Sequence, residues 1–525
     1  MKETIIILGA GVMQGPAIRI AKELGFFTVV LDGSADAPCI PLADRFEQID
    51  LKDKESIEIF ARSLQNSEGL GGIMTAGTDF SASVAWVAEK LGLPGIPYEA
   101  ALNASDKSRM RACFKKAGLP SPEFITITAE DKPEELSLPG AFPLVIKPVD
   151  NMGGRGCRRV DTMEEFRDAA ADALRFSRSG RAIVEVFMDG PEFSVDAIVY
   201  HGEITICGLA DRHIYFSPYF IEMGHTMPTA IAAEKQEAML ETFRAGIRAL
   251  GLAGEGSVGA AKGDIKLTEN GPMIGEIAAR LSGGYMSGWT YPYASGVEPA
   301  RAAALIAMGH KPAGLTPSKN LTCAERAFIS IPGTVKSING LETARAGNYV
   351  NDLFLRIAEG SAVNFPENNV SKCGNIITAA SGRNATMEAA ESAARAVLIR
   401  LDPADETTAN FLAKRGQIFP PDAFQLDAEL TAILEKMPET TVAEKISGAE
   451  NIYVHPFPEF FASGLRDYMG RSARESIEAA RKLSGLALPE HPESSGGVLL
   501  GRSFWAAMTR GGYQGAVYYI DRLRK

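Results

Sequence analysis

Residues 263–284 read Gly263-Asp264-Ile265-Lys266-Leu267-Thr268-Glu269-Asn270-Gly271-Pro272-Met273-Ile274-Gly275-Glu276-Ile277-Ala278-Ala279-Arg280-Leu281-Ser282-Gly283-Gly284. Asn270-Gly271 is a hairpin turn signal, so the residues on either side are expected to pair as two antiparallel strands. Asp264 and Glu276 then stand on opposite arms and can converge on one face. Two carboxylates in oxygen-only surroundings suit Mg²⁺, which is commonly held by one or two carboxylates plus phosphate oxygens. Lys266 and Arg280 flank the pair. A solvated charged hairpin is the plainer alternative.

Upstream, Phe142-Pro143-Leu144-Val145-Ile146-Lys147 reads as a strand ending in a lysine. Gly153, Gly154 and Gly156 follow in a turn, and Arg158-Arg159-Val160 reads as the returning strand. A lysine beside a flexible loop of exposed N–H groups supplies charge and several donors, which nucleotide phosphates need. The alternative is a surface hairpin with an incidental lysine, since the loop lacks the GxxxxGK[ST] of a P-loop. Ala182–Phe187 and Glu192–Tyr200 are expected strands with a helix at Met163–Phe176 before them. The turn between the strands offers an adenine slot, and Glu192 an acid for ribose hydroxyls.

The N-terminal part alternates strand and helix, which implies a parallel sheet with right-handed crossovers. Ile5-Ile6-Ile7-Leu8 is a continuous apolar run, the mark of a strand buried on both faces. Gly9-Ala10-Gly11-Val12-Met13-Gln14-Gly15 is the turn after it, and Pro16–Leu24 the helix. Phe27–Leu31 is the next strand, ending at Asp32. Helices are expected at Ile57–Leu64 and Ser83–Leu91, and a strand at Gly72–Thr75. Asp32 and the glycine turn allow a dinucleotide reading, although the spacing is GxGxxxG. Thr75-Ala76-Gly77-Thr78-Asp79 lies at the C-terminal end of a parallel strand, where open α/β sheets bind ligands.

One helix is expected over Asn103–Ala117 and one over Glu298–Met308. Short strands fill about 321–380, and a helix is expected at Met387–Leu401. Beyond Asp402 the texture changes, with prolines such as Pro420, Pro421, Pro456 and Pro458 interrupting amphipathic stretches. Arg466-Asp467 and Arg510-Gly511-Gly512-Tyr513 match no signature.

The chain has 525 residues, 46% of them hydrophobic and 23% charged, with a net charge of −11. That is globular composition, and the length suggests several domains. An acidic chain of pI about 5.3 is a poor sequence-independent nucleic-acid binder. The six cysteines are scattered, without CxxC or zinc spacing, and read as the reduced thiols of a cytoplasmic protein. The apolar run at the N-terminus is too short for a signal peptide, and no run is long enough for a membrane helix.

In order along the chain, these pieces resemble the ATP-grasp superfamily from Met1 to about Leu401. The matching stretches are 9–18, 104–111, 145–156, 184–196 and 263–284. The resemblance is to the carboxylate–amine ligase branch, which includes L-amino-acid ligases, with biotin carboxylase and carbamoyl-phosphate synthase as relatives. It implies a multidomain α/β and α+β fold: a Rossmann-like domain at 1–104 and an ATP-grasp domain at 105–310 with a lid at about 120–190. A small α+β subdomain at 311–402 and an extension of unknown role at 403–525 complete it.

The same resemblance implies ATP and Mg²⁺, with Mn²⁺ able to substitute. Lys107 and Lys147 would contact the phosphates under a mobile Gly153–Gly156 loop. Glu185, Val186 and Met188 would line the adenine hinge, Glu192 would hold ribose, and Asp264 and Glu276 would bind the metal. Arg280 would stabilise a phosphorylated intermediate. Relatives often carry an Asn two residues after the second acid; here that position is Ala278, one side-chain ligand fewer. The segments 211–216 and 222–228 resemble the acceptor region, where His225 would orient a carboxylate or amine; a structural histidine is the alternative. Tyr285 and Trp289 would close the pocket or serve as core.

The expected activity is ATP-dependent joining of a carboxylate to an amine through an acyl phosphate, with small-molecule partners, no nucleic acid, no membrane and room for a homo-oligomer. Alternatives are a bicarbonate-phosphorylating carboxylase or nucleotide-biosynthesis ligase, an ATP-binding sensor, and an NAD-dependent oxidoreductase.

Overall fold

The strand Thr4–Leu8 is buried along its whole length, as a continuous apolar run in a parallel sheet must be. It lies between Phe27–Asp32 and Leu70–Thr75, parallel to both, and Arg45–Gln48 forms the edge beyond Phe27–Asp32. Helix Gly15–Glu23 connects the first two of these strands, Lys54–Ser67 leads from Arg45–Gln48 to Leu70–Thr75, and Ser81–Leu91 follows the last. The computed structural model describes residues 3–440, 452–489 and 498–524. The chain divides into two compact units.

The first unit comprises Met1–Ile214, Glu222–Glu325 and Ala379–Thr386. After the parallel sheet, the helix expected over 103–117 is two helices, Tyr98–Ser105 and Lys107–Lys116. Asp106 breaks them: its backbone is extended, and its carboxylate accepts the N–H groups of Ser108 and Arg109 as an N-cap. The break puts Lys107 at the start of the second helix. An antiparallel sheet follows, in the order Phe124–Thr128, Arg181–Val186, Leu144–Pro148, Arg158–Val160, with helix Met163–Phe176 packed on it.

The rest of the unit is built on Glu192–Tyr200, which lies between Val258–Thr268 and Glu203–Tyr215. Gly271–Ala278 pairs with the far side of Val258–Thr268, through the turn the sequence predicts. Register decides what this sheet can do. Alternate residues face opposite sides. Phe193, Val195 and Ala197 go into an apolar core with Met239, Phe243 and Ile247. Residues 192, 194 and 196 therefore face the other way and form three rungs: Arg212–Glu192–Lys266, Ser194–Asp264–Glu276, and Asp196–Lys262–Ala278. The ladder skips Gly275, since Asp264 pairs with Glu276 and Ile265 with Ile274.

The second unit comprises Tyr215–Ile221, Arg326–Thr378 and Met387–Lys525. The segment expected as one helix at 387–401 is a helix, Arg383–Ala396, followed by a strand, Leu398–Leu401. That strand pairs antiparallel with Gly333–Asn339, so a tertiary ladder overrides the helical pattern. Residues on both sides of position 402 lie in this unit. Helix Arg502–Leu523 is the reason: the backbone N–H of Ile399 donates to Tyr513 Oη at 2.8 Å, and Gln514 Nε2 donates to the carbonyl of Ile399 at 3.2 Å. The Arg510-Gly511-Gly512-Tyr513 run thus acts structurally. Arg510 is buried and donates to the carbonyls of Phe411 and Pro420, and Gly512 kinks the helix with φ 60°.

Candidate functional site

Lys107 begins its helix and turns its ammonium inward. Nζ donates to the carbonyl of Asn151 at 2.9 Å, at the start of the glycine turn, and lies 3.6 Å from Glu276 Oε1. Burial lowers its pKa, but Glu276 and Asp79 outweigh that and raise it overall. Gly153, Gly154 and Gly156 all adopt positive φ (72°, 76° and 67°), a conformation open to glycine at little cost.

Lys147 and Glu185 are diagonal neighbours on adjacent strands, because Val145 pairs with Glu185 and Lys147 with Ile183. Lys147 Nζ sits 2.7 Å from one Glu185 oxygen, and Arg111 Nε 2.8 Å from the other. Burial pushes the Glu185 carboxyl up, but Arg111 and Lys147 outweigh it and hold the group at about 2. Arg111 also donates to the Gly275 carbonyl at 2.6 Å, the group the ladder skips beside Glu276. Val186 closes the strand and Met188 follows outside the ladder, both half-buried.

The acidic centre is the rung Ser194–Asp264–Glu276. Ser194 Oγ donates to Asp264 Oδ1 at 2.8 Å, Arg212 lies 3.0 Å from the same oxygen, and Lys262 pairs with the other. Burial raises both carboxyl pKa values. Arg212 and Lys262 at Asp264, and Lys107 and Lys262 at Glu276, reverse that and hold both groups ionised. Among the described residues no cluster of three or more His, Cys, Asp or Glu could hold a metal. The oxygens of Asp264 and Glu276 fit Mg²⁺ or Mn²⁺ as hard donors, with phosphate and water completing the shell.

Arg212 joins this centre to a second cluster of charged side chains. Its guanidinium pairs with Glu192, Asp264 and Glu222, with Nε 3.2 Å from Glu222 Oε2. Glu192, expected at a ribose, is therefore held by Arg212. His225 is buried between two acids, Nδ1 at 3.3 Å from Glu325 and Nε2 at 3.5 Å from Glu222. A Cβ on Gly284 would lie 3.0 Å from Glu222 and 3.3 Å from the His225 ring, so the glycine keeps this space open. Tyr285 and Trp289 meet edge to face at 5.5 Å beyond it, both buried.

Arg280 is buried, and its Nε has no hydrogen-bond partner. Asp79 lies 3.9 Å from it, so the end of the parallel strand does reach this site. The parallel bridge Ala76–Leu281 and the bond from Gly77 N–H to the Leu281 carbonyl, 3.1 Å, bring the two together.

The first glycine turn is filled from inside the protein. Gly11 N–H donates to Gln14, and Ala10 N–H and Ser34 N–H donate to Asp32 at 2.8 and 2.9 Å. The carboxylate that a dinucleotide reading needs for ribose is thus already bonded to its own chain.

The sequence gives Arg111 and Lys262 no expected role, and Glu222 only a place in the 222–228 segment that resembles the acceptor region. Lys262 carried one available signal, since two residues before Asp264 means the same strand face. Arg111 stands four residues after Lys107 on one helix, again one face.

Residues 140–288 match the family model of the ATP-grasp domain. Residues 140–288 therefore carry an ATP-grasp domain. Two flanking segments match as well: 18–95 the ATP-grasp N-terminal domain, and 327–402 the L-amino acid ligase C-terminal domain 2. An uncharacterised protein of Sinorhizobium fredii is 24% identical over 73% of this chain and 80% of its own length. A D-alanine–D-alanine ligase of Ectopseudomonas mendocina is 28% identical over 30% of this chain, which spans about half (53%) of that enzyme. The crystal structure of an L-amino acid ligase from Bacillus licheniformis shares the fold, with TM-score 0.68 at 21% identity over 76% of this chain and 99% of that one. Among the described residues no helix is long and apolar enough to cross a membrane.

Proposed function

We propose that the protein joins a carboxylate to an amine at the expense of ATP, on amino-acid-like substrates, releasing ADP and phosphate. The observation that carries this reading is the meeting of two chemistries around Arg212. On one side stand the lysines and the acid pair; on the other, a buried cluster of acids, a histidine and an arginine.

Lys107, Lys147 and the Gly153–Gly156 loop would hold the triphosphate. Asp264 and Glu276 would hold Mg²⁺, which, when bound, would neutralise charge on the phosphates. Arg280, whose Nε makes no hydrogen bond, suits a substrate carboxylate. Attack by a carboxylate oxygen on the γ-phosphorus breaks the bond to ADP and leaves an acyl phosphate. Glu222, with Gly284 keeping the space beside it, suits the ammonium of an amino acid, and His225 would orient the group. Attack by the amine nitrogen at the acyl carbon then expels phosphate, and one proton leaves the nitrogen. Fixed positive charge is the main contribution of such a site, because the charge on the phosphoryl oxygens must be matched in place. The buried setting keeps water from the acyl phosphate.

The test is ADP release by the purified protein with Mg²⁺-ATP against pooled amino acids and small carboxylates, with bicarbonate separate and Lys147→Ala as control. A pool that stimulates only the wild type supports the reading. ATP binding without turnover in any pool would favour a nucleotide-sensing role, and stimulation by bicarbonate alone a carboxylase.

A further inference from the structure

Each carboxylate of the central pair has its own lysine. Glu276 has Lys107 at 3.6 Å, and Asp264 carries Lys262 in direct ion pairing. The second pairing follows from register. Lys262 and Asp264 are two apart on one strand and share a face, and across the ladder they stand opposite Ala278 and Glu276. Their side chains are 14% and 13% exposed, so the pair lies mostly outside bulk water, where charges act more strongly.

The Lys262 rung offers little to a metal. Ala278 has no oxygen on its side chain. Asp196, on the other side of the rung, is fully buried and accepts both the N–H and the hydroxyl of Ser282. A divalent ion placed there would also sit beside an ammonium and be repelled. An ammonium already in place, by contrast, offers three donors to a phosphate. Asp264 and Glu276 retain further lone pairs for one ion, since each carboxylate has about four.

From these contacts we infer that Lys262 is the built-in second cation of the phosphate site. The chain takes one divalent ion with each nucleotide, held by Asp264 and Glu276, and the Lys262 ammonium supplies the remaining positive charge directly to the phosphates. This rests on the ATP-dependent reading above.

The test counts bound Mn²⁺ by electron paramagnetic resonance, and measures affinity for a non-hydrolysable β,γ-imido ATP analogue by calorimetry, on the full chain. The wild type is expected to bind one Mn²⁺ per nucleotide. Lys262→Met is expected to weaken the analogue about tenfold or more, the loss of one charge-assisted contact. Lys262→Gln serves the same purpose should the methionine variant fail to fold. Two Mn²⁺ per nucleotide in the wild type, or unchanged analogue affinity in a folded variant, would overturn the inference alone. A wild type that binds no nucleotide at all overturns the ligase reading with it.

Discussion

Arg111 and Glu185 form a buried ion pair, 1% and 2% exposed, with Arg111 Nε 2.8 Å from the carboxylate. The pair is more than local. The other Glu185 oxygen holds Lys147, and a second Arg111 nitrogen holds the Gly275 carbonyl beside Glu276. One arginine therefore fixes both Lys147, proposed for phosphate, and the strand that carries Glu276, proposed for metal. Breaking a buried pair from one side is costly, because the remaining charge loses its partner.

Glu185→Gln should destabilise the fold by roughly 3 kcal/mol at neutral pH, the scale of a carboxyl held near 2 rather than its ordinary 4.5. Because the folded-state pKa is lowered, this stabilisation is present above about pH 4.5 and disappears as pH falls toward 2. Urea unfolding of wild type and variant across that range should show their difference closing at the acid end. A constant difference would mean that the carboxylate charge is not what stabilises.

Lys147→Ala should lower turnover by about a hundredfold or more, since the charge proposed to contact the phosphates is gone. Arg111 still partners Glu185 in this variant, so the melting curve should remain cooperative. Wild-type turnover would remove Lys147 from the phosphate site.

Glu276→Gln should shift the Mg²⁺ titration of ADP release to higher concentration and slow phosphoryl transfer. Lys107 would lose its ion-pair partner as well, so the nucleotide KM is read in the same experiment. A normal metal titration takes Glu276 out of the metal set.

Gly284→Ala should raise KM for the amine-bearing substrate while leaving that for ATP near wild type. The added methyl lands 3.0 Å from Glu222, in a backbone with φ +59° that costs a non-glycine residue about 1 kcal/mol. Equal effects on both substrates would separate Glu222 from the acceptor pocket.

Trp505→Ala should cost about 3–5 kcal/mol, the usual range for a large aromatic removed from a core. Trp505 is fully buried against Phe457, Phe460, Phe461 and Phe504. Differential scanning calorimetry should show the loss. A shift of less than one degree would place this cluster outside the cooperative core.

Much of the site was legible in order along the chain. The Asn270-Gly271 turn set the hairpin, and the hairpin brought Asp264 opposite Glu276. The run Ile5–Leu8 and its glycine turn announced the parallel sheet. Errors came where a short polar residue or a distant strand took over. Asp106 capped a helix in the middle of an apparent one, and Leu398–Leu401 left a helical pattern to pair with Gly333–Asn339.

The sequence by itself determined local geometry: periodicity, turns, and which acids and lysines share a strand face. These are short-range properties, governed by backbone sterics and by the two-residue repeat of a strand. Only the tertiary structure decided the partners. Arg111 meets Glu185 across 74 positions, His225 meets Glu325 across 100, and Arg212 gathers three acids from three strands. Burial makes those pairings necessary, since a charge withdrawn from water must find its counter-charge wherever the fold supplies one.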